Sequence, residues 1–202
     1  MSAHGQTPAL LLLVPLAVER AVVLGATGDA VVRRVGMGPR RAVAAAREAH
    51  GAAAGAVAVI GFCGALTDDL RPGDVVVADS VGVDGGGRLA LEGGQLVAAL
   101  RAAGLSRVRR GPIVSSARIA RGPARARLAR QGAVAVDMES AWLARGAGGR
   151  PFVVLRVVAD TPATSAARPV AAMRGFLAAA RSLRRAAPAV AQWAGATGRR
   201  DG

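Results

Sequence analysis

The sequence predicts an α/β fold: a single domain with a central mixed β-sheet flanked by helices. Three observations carry that expectation. Apolar runs of strand length recur at residues 9–18, 55–60, 74–80, 108–114, 133–136 and 152–159. These runs are nearly continuous rather than alternating, as strands buried on both faces require. Helical stretches punctuated by Pro and Gly lie between several of them, and 202 residues suit one core.

Taken in order, "ALLLLVPLAV" (9–18) is the first strand. Its ten residues are too few to cross a bilayer, and no basic segment precedes it, so it reads as core rather than as a leader. "RVGMGPRR" places Gly36 and Gly38 between a strand and a helix, "PRRAVAAAREAHG", which Pro39 opens and Gly51 stops. "VIGFCGAL" and "RPGDVVVADSV" supply further strands, and "VGVDGGGRLA" (81–90) is expected to be a mobile loop. The later helices are "LEGGQLVAALRAAG", ending at Gly104, "GPARARLARQG" (122–132), and "MESAWLARG", closing at Gly146. "FVVLRVVA" is a β-branched strand broken only by Arg156, and residues 168–187 form a last helix stopped before Pro188. One domain spans 1–202, with a core of about 9–185 and a tail at 186–202.

Charge is unevenly placed. The net charge is +14, and every one of the 27 basic residues is arginine. Residues 1–100 hold 8 Arg against 9 acids, whereas residues 101–202 hold 19 Arg against 4 acids. A basic half fits an anionic partner or a solvated arginine surface. Two Trp, three Phe and no Tyr leave few stacking platforms for single-stranded nucleic acid, and no nucleic-acid partner is expected. A lone Cys63 excludes an internal disulfide and fits a reducing, cytoplasmic compartment. With only His4 and His50 beside it, no metal site is expected.

In open α/β sheets ligands gather at the carboxyl ends of strands. Gly36 and Gly38, Gly61 and Gly64, Glu139 of "VDMES" and Asp160 of "VVADTP" all fall at such ends. Apart from Asp201 near the terminus, Asp137, Glu139 and Asp160 are the only acids of the basic half.

"GFCGALTDDLRPGDVVVADSV", "AVDMESAWLA" and "FVVLRVVADTP", in this order and spacing, resemble the nucleoside phosphorylase / nucleosidase superfamily. That group includes purine nucleoside phosphorylase, methylthioadenosine/S-adenosylhomocysteine nucleosidase, AMP nucleosidase and futalosine hydrolase. The likeness covers roughly residues 9 to 185. The short chain and its "PLAVE" start are most similar to the hopanoid-associated phosphorylase group, which is thought to remove adenine from adenosylhopane.

The resemblance implies cleavage of the N-ribosidic bond of a purine nucleoside, without cofactor, in a homodimer or larger assembly. It implies that Glu139 holds the ribose 2′- and 3′-hydroxyls and that Met138 packs against the sugar. Asp160 would protonate the purine at N7, and Glu19 would position the attacking water. Ser115 to Ile119 ("SSARI") would contact the base, with Gly61 and Phe62 completing the candidate substrate contacts. The chemistry asks for such residues independently. Protonating N7 improves the leaving group, and general acids contribute about 10²–10⁴-fold. Burial at the end of an apolar strand would help Asp160 keep its proton. A carboxylate gripping a diol orients the sugar and stabilises positive charge developing on it. Asp137 is expected to cap the helix that follows, and Cys63 to be a small buried residue rather than a nucleophile.

The chain also departs from the pattern. Phosphorylases of this superfamily use arginine and serine where Val59 and Phe62 stand. Arg33, Arg34 or Arg40 would have to substitute if phosphate were the co-substrate, so hydrolysis is favoured over phosphorolysis. Nucleosidases often carry serine before the catalytic Asp, where this chain has Ala159. Two alternatives remain: a non-catalytic basic binder of nucleosides or membranes, and a family member without turnover. In residues 168–187, Val170, Met173, Leu177 and Ala180 recur at helical spacing and are expected to pack on the sheet. Arg174, Arg181 and Arg185 would then form a basic back, solvated or facing an anionic membrane.

Overall fold

The structure, a computed structural model, describes residues 7–162 and 169–197. The strands are β1 (Leu10–Val14), β2 (Val31–Arg34), β3 (Ala56–Ala65), β4 (Val75–Val83), β5 (Arg88–Ala90), β6 (Val108–Ser115), β7 (Ala135–Asp137) and β8 (Phe152–Asp160). The helices are α1 (Ala17–Val23), α2 (Pro39–His50), α3 (Gly94–Ala102), α4 (Gly122–Arg130), α5 (Ser140–Leu143) and α6 (Pro169–Thr197). A 3-10 turn, Ala144–Ala147, extends α5.

All the strands join one mixed sheet. β3 pairs in parallel with β8, β8 antiparallel with β4, β4 in parallel with β6, and β6 in parallel with β7. β7 returns antiparallel to Gly64 and Ala65 at the end of β3. These five strands therefore close on themselves, while β1 and β2 extend from β3 and β5 from β4. A bulge between Cys63 and Gly64 sets Asp160 opposite Gly64.

The strand residues divide by parity. Leu10, Leu12, Ala58, Ile60, Val153 and Leu155 meet α1, α3 and α6 on one face. Leu11, Leu13, Val57, Val59, Val154 and Val158 meet α2 and α5 on the other. Helices on both faces cover the central strands, which explains their near-continuous apolar runs, while the outer strands β2 and β5 stay largely exposed.

Four expectations change. The first strand stops at Val14, and residues 17–23 are helix. Pro15 has no N–H to extend a ladder, and the Glu19 carboxylate accepts the Leu16 N–H at the new helix start. Residues 81–90 are not a free loop: β4 and β5 form a hairpin pairing Ser80 with Ala90 and Gly82 with Arg88. The last helix does not stop at Pro188 but runs to Thr197. Ala186, Ala187, Val190, Trp193 and Ala194 are buried in the core, and this burial offsets the ~3 kcal/mol that an internal proline costs. Residues 186–197 are therefore core rather than tail, while His4 and 198–202 lie outside the described residues.

The fourth change concerns the apolar stripe of α6 and not its basic back: Arg174, Arg181 and Arg185 are exposed as expected, and Ala180 is half-buried. Val170, Met173 and Leu177 are 62%, 59% and 44% exposed. Gly175, Ala179 and Leu183 face inward instead. Size decides the orientation: a Cβ on Gly175 would lie 2.6 Å from the Ala159 carbonyl oxygen. The close approach of helix to strand admits small side chains and leaves the longer ones outside. No helix among the described residues is long and apolar enough to cross a membrane.

Candidate active site

The carboxyl ends of β1, β3 and β8, and the turn from β7 into α5, converge on a cavity of about 220 Å³. Glu19, Phe62, Met138, Glu139, Ile119 and Asp160 line it. Ser115 and Gly61 do not. Ser115 is fully buried; its hydroxyl donates to Asp137 and accepts the Ala141 N–H at 2.9 Å. Its part is to hold Asp137 in place. Gly61 lies behind the cavity wall, where a Cβ would sit 2.5 Å from Glu19 Oε1 and 2.7 Å from Arg156 Nη1. Only glycine lets these two charged groups approach β3 so closely.

Arg156, absent from the candidates read in the sequence, organises the inner wall. It is fully buried and lies 2.7 Å from Asp137 Oδ2 and 3.6 Å from Glu139 Oε2. Its Nε and Nη2 donate to the Ser140 hydroxyl at 3.1 and 2.9 Å. Nη1 makes no hydrogen bond among the described residues. A lone charge inside "FVVLRVVA" was the available signal, since a buried arginine requires carboxylate partners. Asp137 carries more than a cap. Besides Arg156 it accepts the Ser140 hydroxyl and, at 3.3 Å, the N–H groups of Glu139 and Ser140.

Glu19 and Glu139 are 1% and 4% exposed. Glu19 accepts the N–H of Phe62 at 2.7 Å and of Leu16 at 2.6 Å. Glu139 accepts the Gly38 N–H at 2.9 Å, so the glycine turn before α2 serves the site. Burial pushes both carboxyls above the usual glutamate range, against the opposing pull of Arg156. Burial likewise pushes the Cys63 thiol far up, leaving it inert.

Asp160 stands in a different setting from the desolvated one expected. Its side chain is 39% exposed and pairs at 2.6 Å with Arg125, whose side chain is 6% exposed. Arg125 carried no signal in the sequence, being one of several arginines in and beside α4. No group of His, Cys, Asp and Glu able to hold a metal ion exists among the described residues.

A family model described as the Phosphorylase superfamily matches residues 16–192. The chain belongs to the phosphorylase superfamily. Solved structures share the fold of this phosphorylase-superfamily chain. A 5′-methylthioadenosine/S-adenosylhomocysteine nucleosidase from Neisseria meningitidis, in complex with methylthio-immucillin-A, is 22% identical, with 91% of this chain and 98% of that one covered and a TM-score of 0.73. The nucleosidase from Colwellia psychrerythraea, in complex with adenine, is 18% identical over 93% and 96%, with a TM-score of 0.74. Futalosine hydrolase from Helicobacter pylori is 19% identical over 91% and 96%, with a TM-score of 0.72. No curated protein sequence matches the chain.

The substitutes considered for a phosphate grip do not reach the cavity of this superfamily member. Arg33, Arg34 and Arg40 are exposed and absent from its lining, and Arg33 lies 4.0 Å from Glu48. Val59 is fully buried in the core.

Proposed function

We propose that the chain hydrolyses the N-ribosidic bond of a 5′-substituted adenine nucleoside. One observation carries this reading: a single cavity joins a carboxyl at the end of β8 to an inner wall of Glu19, Asp137 and Glu139 around Arg156. In the mechanism, water attacks C1′ as the C1′–N9 bond breaks and its electron pair stays with the base. Asp160 donates a proton to N7, and Glu19 takes one from the water, so adenine and a free sugar leave. Glu139 has lone pairs left for the two ribose hydroxyls after accepting Gly38. Arg156, buried behind this wall, holds Asp137 and Glu139 in place by its charge. The sequence-favoured nucleophile, water, fits this wall: three carboxyl groups face one guanidinium, so a phosphate dianion meets little net attraction. No cofactor is needed for such a reaction. A cytoplasmic setting and a homodimer are part of the proposal, the latter tested by sedimentation at micromolar concentration.

The experiment is adenine release from methylthioadenosine with and without phosphate. Methylthioribose as the product at either concentration is the expected result. Phosphate-dependent release of methylthioribose-1-phosphate would overturn the choice of water, and no release would overturn the substrate.

The state of Glu19 gives a pH signature. It must be ionised to accept a proton, and burial raises its pKa above the ordinary 4.5. The rate therefore rises with pH along a limb displaced upward from that value, and Glu19→Gln removes the limb. A pH–rate profile unchanged in Glu19→Gln would sink the role.

The exposed face of α6 favours a lipid-borne substrate, such as the adenosylhopane suggested by the resemblance. Val170, Met173 and Leu177 stand in solvent on a helix that also carries Arg174, Arg181, Arg184 and Arg185 and no acid. Phe176 of the same helix packs edge-on against Phe62 of the cavity wall, with ring centroids 5.2 Å apart. Each arginine near an anionic bilayer contributes about 1 kcal/mol, and the apolar stripe adds buried area. The expected outcome is sedimentation with anionic vesicles at low salt, lost at high salt and weakened by Met173→Ser with Leu177→Ser. No sedimentation at low salt would remove the lipid reading and leave a water-soluble nucleoside, whereas equal sedimentation with neutral vesicles would assign the docking to the apolar stripe and not to the arginines.

A further inference from the structure

The proposed general acid, Asp160, is not held by its own strand. The residue before it, Ala159, offers no hydroxyl, and the bulge in β8 turns Asp160 towards Gly64. What reaches it is Arg125 of α4, three elements earlier in the chain. Arg121, Arg127 and Arg130 of the same segment are exposed, whereas Arg125 is 5% exposed. A helix that only needed to pack there would carry another apolar residue, as it does at Leu128, because burying a guanidinium is costly unless its partners are exact in place and charge.

Its partners are arranged to aim it. Nε donates to the Ala120 carbonyl at 3.0 Å and Nη1 to the Ala65 carbonyl at 3.4 Å, which fixes the plane of the fork between a loop and the end of β3. Nη2 is left directed at Asp160 Oδ2, 2.6 Å away. The backbone makes room for the pair: a Cβ on Gly64 would fall 2.5 Å from Arg125 Nη2 and 2.9 Å from Asp160 Oδ1. Both members line the cavity.

We propose that Arg125 is the positioning residue of the general acid: it fixes the Asp160 carboxyl at the cavity wall and stabilises the carboxylate left behind when the proton passes to the departing base. The inference rests on the reading of Asp160 as that acid. The proton moves from Asp160 oxygen to N7, the N9 electron pair remains on the purine, and the new negative charge on Asp160 faces a guanidinium already in place. Arg125 itself neither gives nor takes a proton.

The test uses the full chain and two leaving groups, the adenine of methylthioadenosine and the nitrophenolate of 4-nitrophenyl riboside, which leaves without being protonated. Arg125→Met should lower kcat for adenine release by about ten- to a hundredfold with KM nearly unchanged, the scale of a misplaced catalytic group. Arg125→Lys should recover part of that loss, and nitrophenolate release should stay near the wild-type rate. In an Asp160→Asn background, Arg125→Met should bring no further loss, because both changes remove one function. Thermal melts check that each variant is folded. Equal losses on both leaving groups, or additive losses in the double variant, would reduce Arg125 to a structural residue. Unchanged adenine release in Arg125→Met overturns the inference alone, whereas a wild type that releases no adenine overturns the functional reading beneath it.

Discussion

Asp160→Asn lowers adenine release by about 10²–10⁴-fold, the usual contribution of a general acid. Asparagine keeps the shape of aspartate and an oxygen for Arg125, so the cavity wall survives, but it has no acidic proton to give. The loss falls on kcat, because the base is bound as before and leaves only as an unprotonated purine anion. Steady-state kinetics on methylthioadenosine, with a thermal melt to confirm folding, measure it. A folded Asn variant that turns over normally would remove Asp160 from the mechanism and require another proton source.

Arg156→Met carries the largest expected cost in stability, about 3–5 kcal/mol at neutral pH, because it strands buried carboxylates without their counter-charge. Asp137 and Glu139 lie 2.7 and 3.6 Å from the guanidinium, and Glu19 belongs to the same buried group. The pH dependence has a definite sign. In the native protein the folded-state pKa values of Glu19 and Glu139 are raised above 4.5 by burial. Each therefore costs stability at pH above its raised value, and the cost fades as pH falls towards the unfolded value. Removing Arg156 deepens that cost, so the gap between variant and wild type narrows on acidification. Urea unfolding at neutral and mildly acidic pH measures both effects, and a gap that widens on acidification would contradict the assignment.

Much of this site was legible because acids are scarce where arginines abound. Glu139 and Asp160 stood out at strand ends, and Glu19 closed the first apolar run; all three line one cavity. Arg156 was legible in principle, since a charge inside an otherwise apolar buried strand needs a partner. Arg125 was not, because nothing in "GPARARLARQG" distinguishes the buried arginine from its exposed neighbours; only the meeting of α4 with β8 does. The stripe that α6 buries departs from the pattern for a related reason. Hydrophobic periodicity selected Val170, Met173 and Leu177, but on an alanine-rich helix pressed close to a strand, steric fit around Gly175 outweighs hydrophobicity. The first strand was overextended because the apolar run continues past Pro15 into α1, where composition does not change but backbone geometry does.

The place of β8 in the sheet bears on how the chain reaches its native state. It lies between β3 and β4 and pairs with both, yet it emerges during synthesis after the other strands among the described residues. Until then β3 and β4 each lack a neighbour, and the carboxylates that depend on Arg156 have no cation to meet. A nascent chain ending near residue 150 thus exposes two long apolar edges, which are open to pairing with other chains. Completion of the sheet and assembly of the inner wall become one late event after release of most of the chain, driven by contacts between segments far apart in sequence.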